Sequence, residues 1–558
     1  MGRAKRPPLG WLVPLLLVGT TALAPPAAAP EPPEVPVLAW RACPAAPQGQ
    51  ASTTGLTCAT AVVPMDYERP GAGSFTLALI RRPADDARKS GTLFWNPGGP
   101  SDAGTAYLPA AVEGFPAEVK RRYDIVSWDP RGMGGRTTPV VQCFDSAADE
   151  EGFMADAPAS LPVTSRQMSE MVAFQTRLNE RCVQQAGNLL AHVSTADNAR
   201  DLDLLRQAVG DEKLTYYGTS YGTFLGATYM NMFPDRVRAA VLDGAAFPTA
   251  WIPGGLTATR APALSTFLRV GSDRGMSATF AEFLLQCGRA DAKACPFSAG
   301  SPGATRAKWA ELTRRATARP VDLDGQRADG LSLLVAAQST LYTVRPVPGF
   351  ERFPGWAGTA AMLQEAWEES GRTATPIPTP SGTPTTGPSD TRPSAPSASA
   401  GGRSPTTAPS AQPYATSVGR QRAVICGESP NPATVDGYAE QARASYARAG
   451  HTLWPWAAVC TGWSVKAAHP YSGPWDRAMA TPALVVGNTF DPATPYDSSL
   501  KTAQELSGSR LLTVDGYGHT ELLNPSTCAQ GHISAYLMSG ALPPEGARCA
   551  QDGSPFGG

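Results

Sequence analysis

The segment Leu214-Thr215-Tyr216-Tyr217-Gly218-Thr219-Ser220-Tyr221-Gly222-Thr223-Phe224-Leu225-Gly226-Ala227 changes character around one serine. Leu214 to Tyr217 is apolar and β-prone, whereas Thr223 to Met232 has a helical pattern. A strand that turns sharply into a helix holds the residue at its apex at an unfavourable backbone angle. The residues two before and two after must then be small enough for the chain to fold back on itself, and both are glycine, Gly218 and Gly222. Another serine, Ser101 in Gly99-Pro100-Ser101-Asp102-Ala103, has comparable neighbours, but Pro100 blocks tight turn geometry and no helical pattern is read after it. Ser220 is the reactive serine expected from this context.

The surroundings repeat the strand-then-helix alternation. Thr92 to Asn96 is a short apolar strand leading into Pro97-Gly98-Gly99-Pro100, and Asp124 to Trp128 is another, ending at Asp129-Pro130-Arg131-Gly132. Leu202, Leu205 and Val209 recur at helical spacing before the stop signal Gly210. Val237 to Leu242, Ala483 to Val486 and Arg510 to Val514 read as further buried strands. Strands separated by helices predict an α/β fold, with a mostly parallel sheet covered on both faces.

Between about residues 247 and 470 the pattern is mostly helical, rich in tryptophan and without clear strands. We expect a helical cap inserted between an N-terminal core part (30–246) and a C-terminal core part (471–558). Within the cap, residues 373–418 are dominated by Pro, Ser, Thr, Gly and Ala. Such a tract cannot bury enough apolar surface to offset the entropy of ordering it, so a disordered insertion dispensable for activity is expected. Trp251, Trp356 and Trp454 are expected to pack inside the cap rather than line a pocket.

A serine hydroxyl is a weak nucleophile at neutral pH and needs a base, itself oriented by a carboxylate. The chain has five histidines. His192 precedes Ser220, His451 and His469 fall before the returning strands, and His532 lies at the edge of a last helix near Ser534 to Met538. His519, in Gly516-Tyr517-Gly518-His519, directly follows a strand, at the sheet edge where catalytic groups collect. Asp491, in Gly487-Asn488-Thr489-Phe490-Asp491-Pro492, follows the preceding strand in the same way. Asp497 is its rival, read as the cap of a helix starting near Ser498. A tetrahedral intermediate needs backbone N–H donors, for which Gly99 and Tyr221 are the expected sources.

Trp95-Asn96-Pro97-Gly98-Gly99-Pro100, Asp129-Pro130-Arg131-Gly132, the Gly218–Gly222 turn, Asn488-Thr489-Phe490-Asp491-Pro492-Ala493-Thr494-Pro495 and Gly518-His519 resemble secreted actinobacterial tripeptidyl aminopeptidases of the proline iminopeptidase-like branch of the α/β-hydrolases. The resemblance runs from about Trp40 to Cys549, outside the low-complexity tract. It implies an α/β-hydrolase fold with a helical cap and release of short peptides or single residues from free N-termini, with no cofactor or metal. It also implies Ser220 as nucleophile, Asp491 as orienting acid, His519 as base, and Gly99 and Tyr221 as the oxyanion hole. Two departures bear on specificity. Pro100-Ser101-Asp102-Ala103-Gly104 replaces the family's Pro-Gly-Gly-Ser-Gly continuation, and Cys426-Gly427-Glu428 stands where Cys-x-Asp is common. An N-terminal ammonium, with a pKa of about 8, requires an acidic partner; Glu428 is the first expectation and Asp102 the second. An ester hydrolase of the same fold, or a non-catalytic binding protein on this scaffold, are the alternatives.

Composition sets the setting. The 47 basic and 48 acidic residues give a net charge of −1 without basic runs beyond the N-terminus, so neither nucleic acid nor a membrane surface is expected as a partner. Arg3, Lys5 and Arg6, the apolar stretch Leu9 to Ala24 and the small residues Ala27 to Ala29 read as a signal peptide over residues 1–29, hence a secreted protein. The ten cysteines, with no C-x-x-C pair, fit disulfides in an oxidising compartment. Connectivity is not encoded locally. The simplest expectation pairs sequential neighbours, Cys43–Cys58, Cys143–Cys182, Cys287–Cys295, Cys426–Cys460 and Cys528–Cys549.

Overall fold

The computed structural model describes residue 2 and residues 32–557, apart from 48, 159–160, 254–263, 324, 349–352, 373–417, 454–455 and 458. The expected signal peptide, the low-complexity tract up to residue 417 and Trp454 therefore lie outside the described residues.

All six runs read as strands are strands, most of them slightly longer than expected. In chain order the strands are β1 (Arg41–Ala42), β2 (Thr57–Pro64), β3 (Ser74–Arg82), β4 (Gly91–Asn96), β5 (Tyr123–Trp128), β6 (Leu214–Thr219), β7 (Val237–Asp243), β8 (Val321–Leu323), β9 (Gln326–Ala328), β10 (Leu484–Phe490), β11 (Arg510–Tyr517) and β12 (Arg548–Ala550). Ten of them form one sheet in the order β1-β2-β3-β5-β4-β6-β7-β10-β11-β12. From β5 to β12 the neighbours are parallel, while β1, β2 and β3 make an antiparallel edge.

Both faces are covered, as near-continuous apolar strands require. Ile125, Val241, Val486 and Val514 pack with Leu108, Val119, Ile533 and Leu537 on one face. Their strand neighbours Val126, Leu242 and Val485 pack with Leu202, Leu205, Phe224 and Leu225 on the other. Each fully buried apolar side chain contributes about 1.5–3 kcal/mol, and a one-residue slip would exchange the two layers, so the register is strongly fixed.

The region expected as a mostly helical cap shows two features not read from the sequence. It contains a short hairpin, β8–β9, whose three-residue strands are too brief for a periodic signal. It also divides: Phe280, Phe283, Leu312, Trp356 and Leu363 form a separate apolar cluster, whereas Ala423, Val424, Ile425 and Trp463 pack into the main core. Trp356 is buried in the separate cap cluster, as expected, whereas Trp251 is buried in the main core rather than inside the cap.

The ten cysteines form five disulfides, Cys43–Cys58, Cys143–Cys182, Cys287–Cys295, Cys426–Cys460 and Cys528–Cys549. Every pair is a sequential one. Among the described residues no helix is long and apolar enough to cross a membrane.

Candidate active site

Ser220 sits between β6 and the helix Tyr221–Met232 with φ 57° and ψ −126°. The two glycines are sterically required. A Cβ on Gly218 would lie 2.3 Å from the Gly222 carbonyl oxygen, and one on Gly222 would lie 2.5 Å from the Asn96 carbonyl oxygen. Among the described residues, Ser220 and Thr520 are the non-glycine residues at positive φ, and both line the same cavity of about 400 Å³. Backbone strain of this kind concentrates where surrounding structure enforces a functional geometry. Ser101 also lines the cavity. A helix, Gly104–Ala111, does follow it, contrary to expectation. Its weak apolar periodicity and internal Pro109 hid it, and Ser101 lacks the strained backbone.

Asp491 and His519 follow the ends of β10 and β11, which are paired in parallel. His519 Nδ1 lies 2.9 Å from both carboxylate oxygens of Asp491. A carboxylate can only accept, so the proton of this contact belongs to Nδ1, leaving Nε2 as the lone-pair nitrogen of the neutral ring. Asp491 is itself held by the backbone N–H groups of Ala493 (2.8 Å) and Thr494 (2.9 Å), and by the Thr494 hydroxyl at 3.2 Å. Ser220 and His519 face the one cavity. Among the described residues no hydrogen bond joins the Ser220 hydroxyl to the imidazole, and such contacts commonly tighten only when substrate binds.

The loop carrying His519 is clamped from two sides. The carbonyl of Tyr342 accepts from the His519 backbone N–H at 2.7 Å, and the Tyr342 ring meets the imidazole edge-on at 5.1 Å. Asn524 bridges the same elements, accepting from Val344 N–H at 2.8 Å and donating to the Tyr342 and His519 carbonyls at 3.0 Å each. From beneath, Asp243 at the end of β7 accepts from the N–H of Leu522 at 2.9 Å and from the Tyr217 hydroxyl at 3.0 Å. Burial pushes the Asp243 carboxyl up to about 6. Asp243 was not singled out from the sequence, although a carboxylate ending a buried strand was the signal that could have found it; Thr494 lies within the Asn488–Pro495 motif without a role assigned there, and Tyr342 and Asn524 carried no motif.

The other histidines lie elsewhere. His451 stacks on Tyr446, His469 Nδ1 is 3.0 Å from Glu68, and neither these nor His192 nor His532 lines the cavity. Asp497 does not cap its helix. The helix is Tyr496–Glu505 with Pro495 at its N-cap, and Asp497 pairs with Lys501 at 2.6 Å on the surface.

Gly99 lines the cavity, and the glycine loop runs against the serine turn, since a Cβ on Gly98 would meet Ser220 Cβ at 2.9 Å. Among the described residues neither the Gly99 nor the Tyr221 backbone N–H has a hydrogen-bond acceptor. The two carboxylates considered for an ammonium group are separated by the structure. Asp102 lines the cavity, with its Oδ1 accepting from the Tyr107 hydroxyl at 3.1 Å. Glu428 does not line it. Its oxygens accept from Thr195 N–H (2.8 Å), the Thr195 hydroxyl (2.6 Å) and Trp251 Nε1 (3.0 Å), and burial pushes its carboxyl up to about 7. Of the two carboxylates, Asp102 is the one that lines the cavity.

A family profile described as "alpha/beta hydrolase fold" matches residues 95–264, and one described as "TAP-like protein" matches residues 446–549. The chain is 32% identical to the serine protease Hip1 of Mycobacterium tuberculosis over 518 residues, covering 89% of this chain and 87% of that protein. It is 31% identical to carboxylesterase B of M. tuberculosis, covering 96% of each chain. It is 27% identical to the tripeptidyl aminopeptidase of Streptomyces coelicolor, covering 90% of this chain and 84% of that one. With its sheet order, its strained serine turn and its Asp491–His519 pair, the chain belongs to the tripeptidyl aminopeptidase-like family of α/β-hydrolases.

Proposed function

We propose that this hydrolase is a secreted serine exopeptidase that releases single residues or short peptides from free N-termini through an acyl-enzyme. The observation that carries the reading is the 2.9 Å contact between His519 Nδ1 and Asp491, on the cavity that Ser220 also lines. The resemblance to serine protease Hip1 and to a tripeptidyl aminopeptidase supports peptides as substrates. Five disulfides fit an oxidising compartment, and residues 1–29 serve as the export signal in this reading.

In the proposed reaction the Ser220 hydroxyl oxygen bonds to the scissile carbonyl carbon while its proton passes to His519 Nε2. Asp491 stabilises the imidazolium and fixes the ring. The oxyanion accepts from the N–H groups of Gly99 and Tyr221, the latter at a helix N-terminus, each donor worth about 10²–10³ in rate. The C–N bond then breaks, and His519 returns the proton to the departing amine. Water, deprotonated by His519, hydrolyses the ester and regenerates the serine. No cofactor or metal enters these steps. Cys528, His532 and Cys549 lie close together, but the two cysteines are bonded to each other.

The test is turnover of aminoacyl- and peptidyl-nitroanilides, free and N-acetylated, beside short acyl esters. Preference for the free amine supports the exopeptidase. The likeness to carboxylesterase B favours the second reading, an ester hydrolase; turnover of esters alone would establish it. Ser220→Ala should lower kcat by at least ~10³ and end labelling by a fluorophosphonate. Labelling that persists in the variant would place the reactive nucleophile elsewhere, and absence of labelling in the unaltered protein would point to a non-catalytic binding protein.

A further inference from the structure

The loop that carries Gly99 is pinned at its start. Gly98 N–H donates to Asn96 Oδ1 at 3.1 Å, and the Thr219 hydroxyl lies 3.1 Å from each of the Asn96 and Pro97 carbonyl oxygens. Asn96 and Thr219 are both buried. Beyond them the chain runs through two glycines at positive φ, Gly98 at 107° and Gly99 at 104°. With no Cβ to restrict it, such backbone turns freely. A contact from outside the loop must therefore steady the Gly98–Gly99 peptide, which carries the N–H assigned to the oxyanion.

That contact comes from Gln421. Its Nε2 donates to the Gly99 carbonyl at 2.8 Å, and Gln421 lines the same cavity as Ser220. A carbonyl oxygen only accepts, so the amide is fixed with its nitrogen toward the loop. Among the described residues no other donor reaches the Gly99 carbonyl. The Gly98–Gly99 peptide is thus held between Asn96 on one side and Gln421 on the other.

Gln421 stands on a rigid mount. It lies in the first turn of the helix Arg420–Glu428, whose Ala423, Val424 and Ile425 are buried in the main core. Arg420 Nη1 donates to the Gly134 carbonyl at 2.8 Å. Gly134 lies against the Asp129 side chain, which accepts at 2.9 Å from the N–H of Thr105, in the helix that follows the glycine loop. Two consecutive residues thus brace residues 98–105 at both ends, one directly and one through Asp129. The Gln421 amide is exposed, so its bond adds little to the stability of the fold. What it supplies is orientation.

Resting on the acyl-enzyme reading, whether the substrate is a peptide or an ester, we infer that Gln421 is a positioning residue of the oxyanion hole. By holding the Gly99 carbonyl it keeps the Gly99 N–H aimed at the tetrahedral intermediate.

The experiment uses the full chain and diethyl p-nitrophenyl phosphate, whose phosphorus bonds to the Ser220 oxygen as nitrophenolate leaves, beside steady-state kinetics on the preferred nitroanilide or ester. Gln421→Met keeps the side-chain length without a donor. It should lower the phosphorylation rate constant and kcat about tenfold, less than the about 10²–10³ lost with an oxyanion donor itself. KM should stay within about twofold and the urea unfolding midpoint should not move. Gln421→Glu sets a carboxylate against the carbonyl and should lose at least as much, while Gln421→Lys restores a donor and should recover part of the rate. Unchanged rates in Gln421→Met, a rise in KM with kcat intact, or a loss of rate matched by a lower unfolding midpoint would overturn the inference. Turnover of esters alone would end the exopeptidase reading and leave the inference standing. An unaltered protein that the phosphate ester does not modify would overturn both.

Discussion

Asp243 Oδ1 accepts a hydrogen bond from the backbone N–H of Glu521 at 2.8 Å, tying the end of β7 to the loop that begins at His519. The Tyr217 hydroxyl and the Leu522 N–H occupy its other oxygen. An amide offers one acceptor oxygen where three donors converge on two, so Asp243→Asn leaves a buried donor facing an N–H. We expect a loss of about 1–3 kcal/mol in urea unfolding. We also expect a fall in kcat larger than the change in KM, because the loop it holds carries the base. Unchanged unfolding midpoints would show that the loop is held by Tyr342 and Asn524 alone.

Asp491 and Asp497 are six positions apart yet predict opposite outcomes. Asp491→Asn keeps the side-chain shape but no longer holds the imidazole in the required tautomer, and kcat should fall by about 10⁴. Asp497 makes a surface ion pair with Lys501, the kind worth about 0–1 kcal/mol. Asp497→Asn should therefore leave kcat within a few-fold. Steady-state kinetics on the preferred nitroanilide checks both, and equal losses would remove the role assigned to Asp491.

Glu428 predicts a pH dependence of stability. Burial raises its pKa to about 7, partly countered by the Thr195 and Trp251 donors, against about 4.3 in an unfolded chain. Between those values the folded protein binds more protons than the unfolded one, so stability declines as pH rises from about 4.3 to about 7 and levels off above. Glu428→Gln removes this slope. Relative to the parent, the variant should gain on the order of 2–3 kcal/mol in going from pH 4.5 to pH 8. Denaturant titrations of both proteins at these two pH values read the difference directly, and parallel curves would contradict the assignment.

The disulfides should differ in weight. Cys143–Cys182 closes a loop with a sequence separation of 39, and Cys287–Cys295 one of 8. Loop-closure entropy gives about 4 kcal/mol for the first and about 2.5 kcal/mol for the second. The first is also packed, since a Cβ on Gly419 would stand 2.5 Å from the sulfur of either Cys143 or Cys182. Replacing Cys143 and Cys182 together by serine should lower the melting temperature more than replacing Cys287 and Cys295. Thermal unfolding of the two double variants decides this.

Much of the core was legible because it depends on local chemistry. The strands β4 to β7, β10 and β11 are largely buried and read as mostly apolar, β-prone runs, and Gly218 and Gly222 are dictated by one tight turn. Asp491 and His519 were legible because each directly follows such a strand. The antiparallel strands β2 and β3 were not, since Thr57–Pro64 alternates buried and exposed positions without a matching apolar–polar alternation in its sequence, and a connection of nine residues rather than a two-residue turn joins it to β3. Tyr342 and Asn524 were also hidden. Their roles come from contacts between residues far apart in sequence, in which one backbone carbonyl and one side-chain amide receive the loop of His519. Which of Glu428 and Asp102 lines the cavity could not be read, because it depends on how segments far apart in sequence come together.

No disulfide spans residues 373–417: three close before that interval and two after it. A single cut there would yield two polypeptides without a covalent tie, one bearing Ser220 and the other Asp491 and His519. Within the sheet their reunion would depend on β10 of one fragment pairing with β7 of the other. Co-expression of the two halves would thus make hydrolysis a reporter of fragment complementation, with the chemistry itself counting assembled molecules.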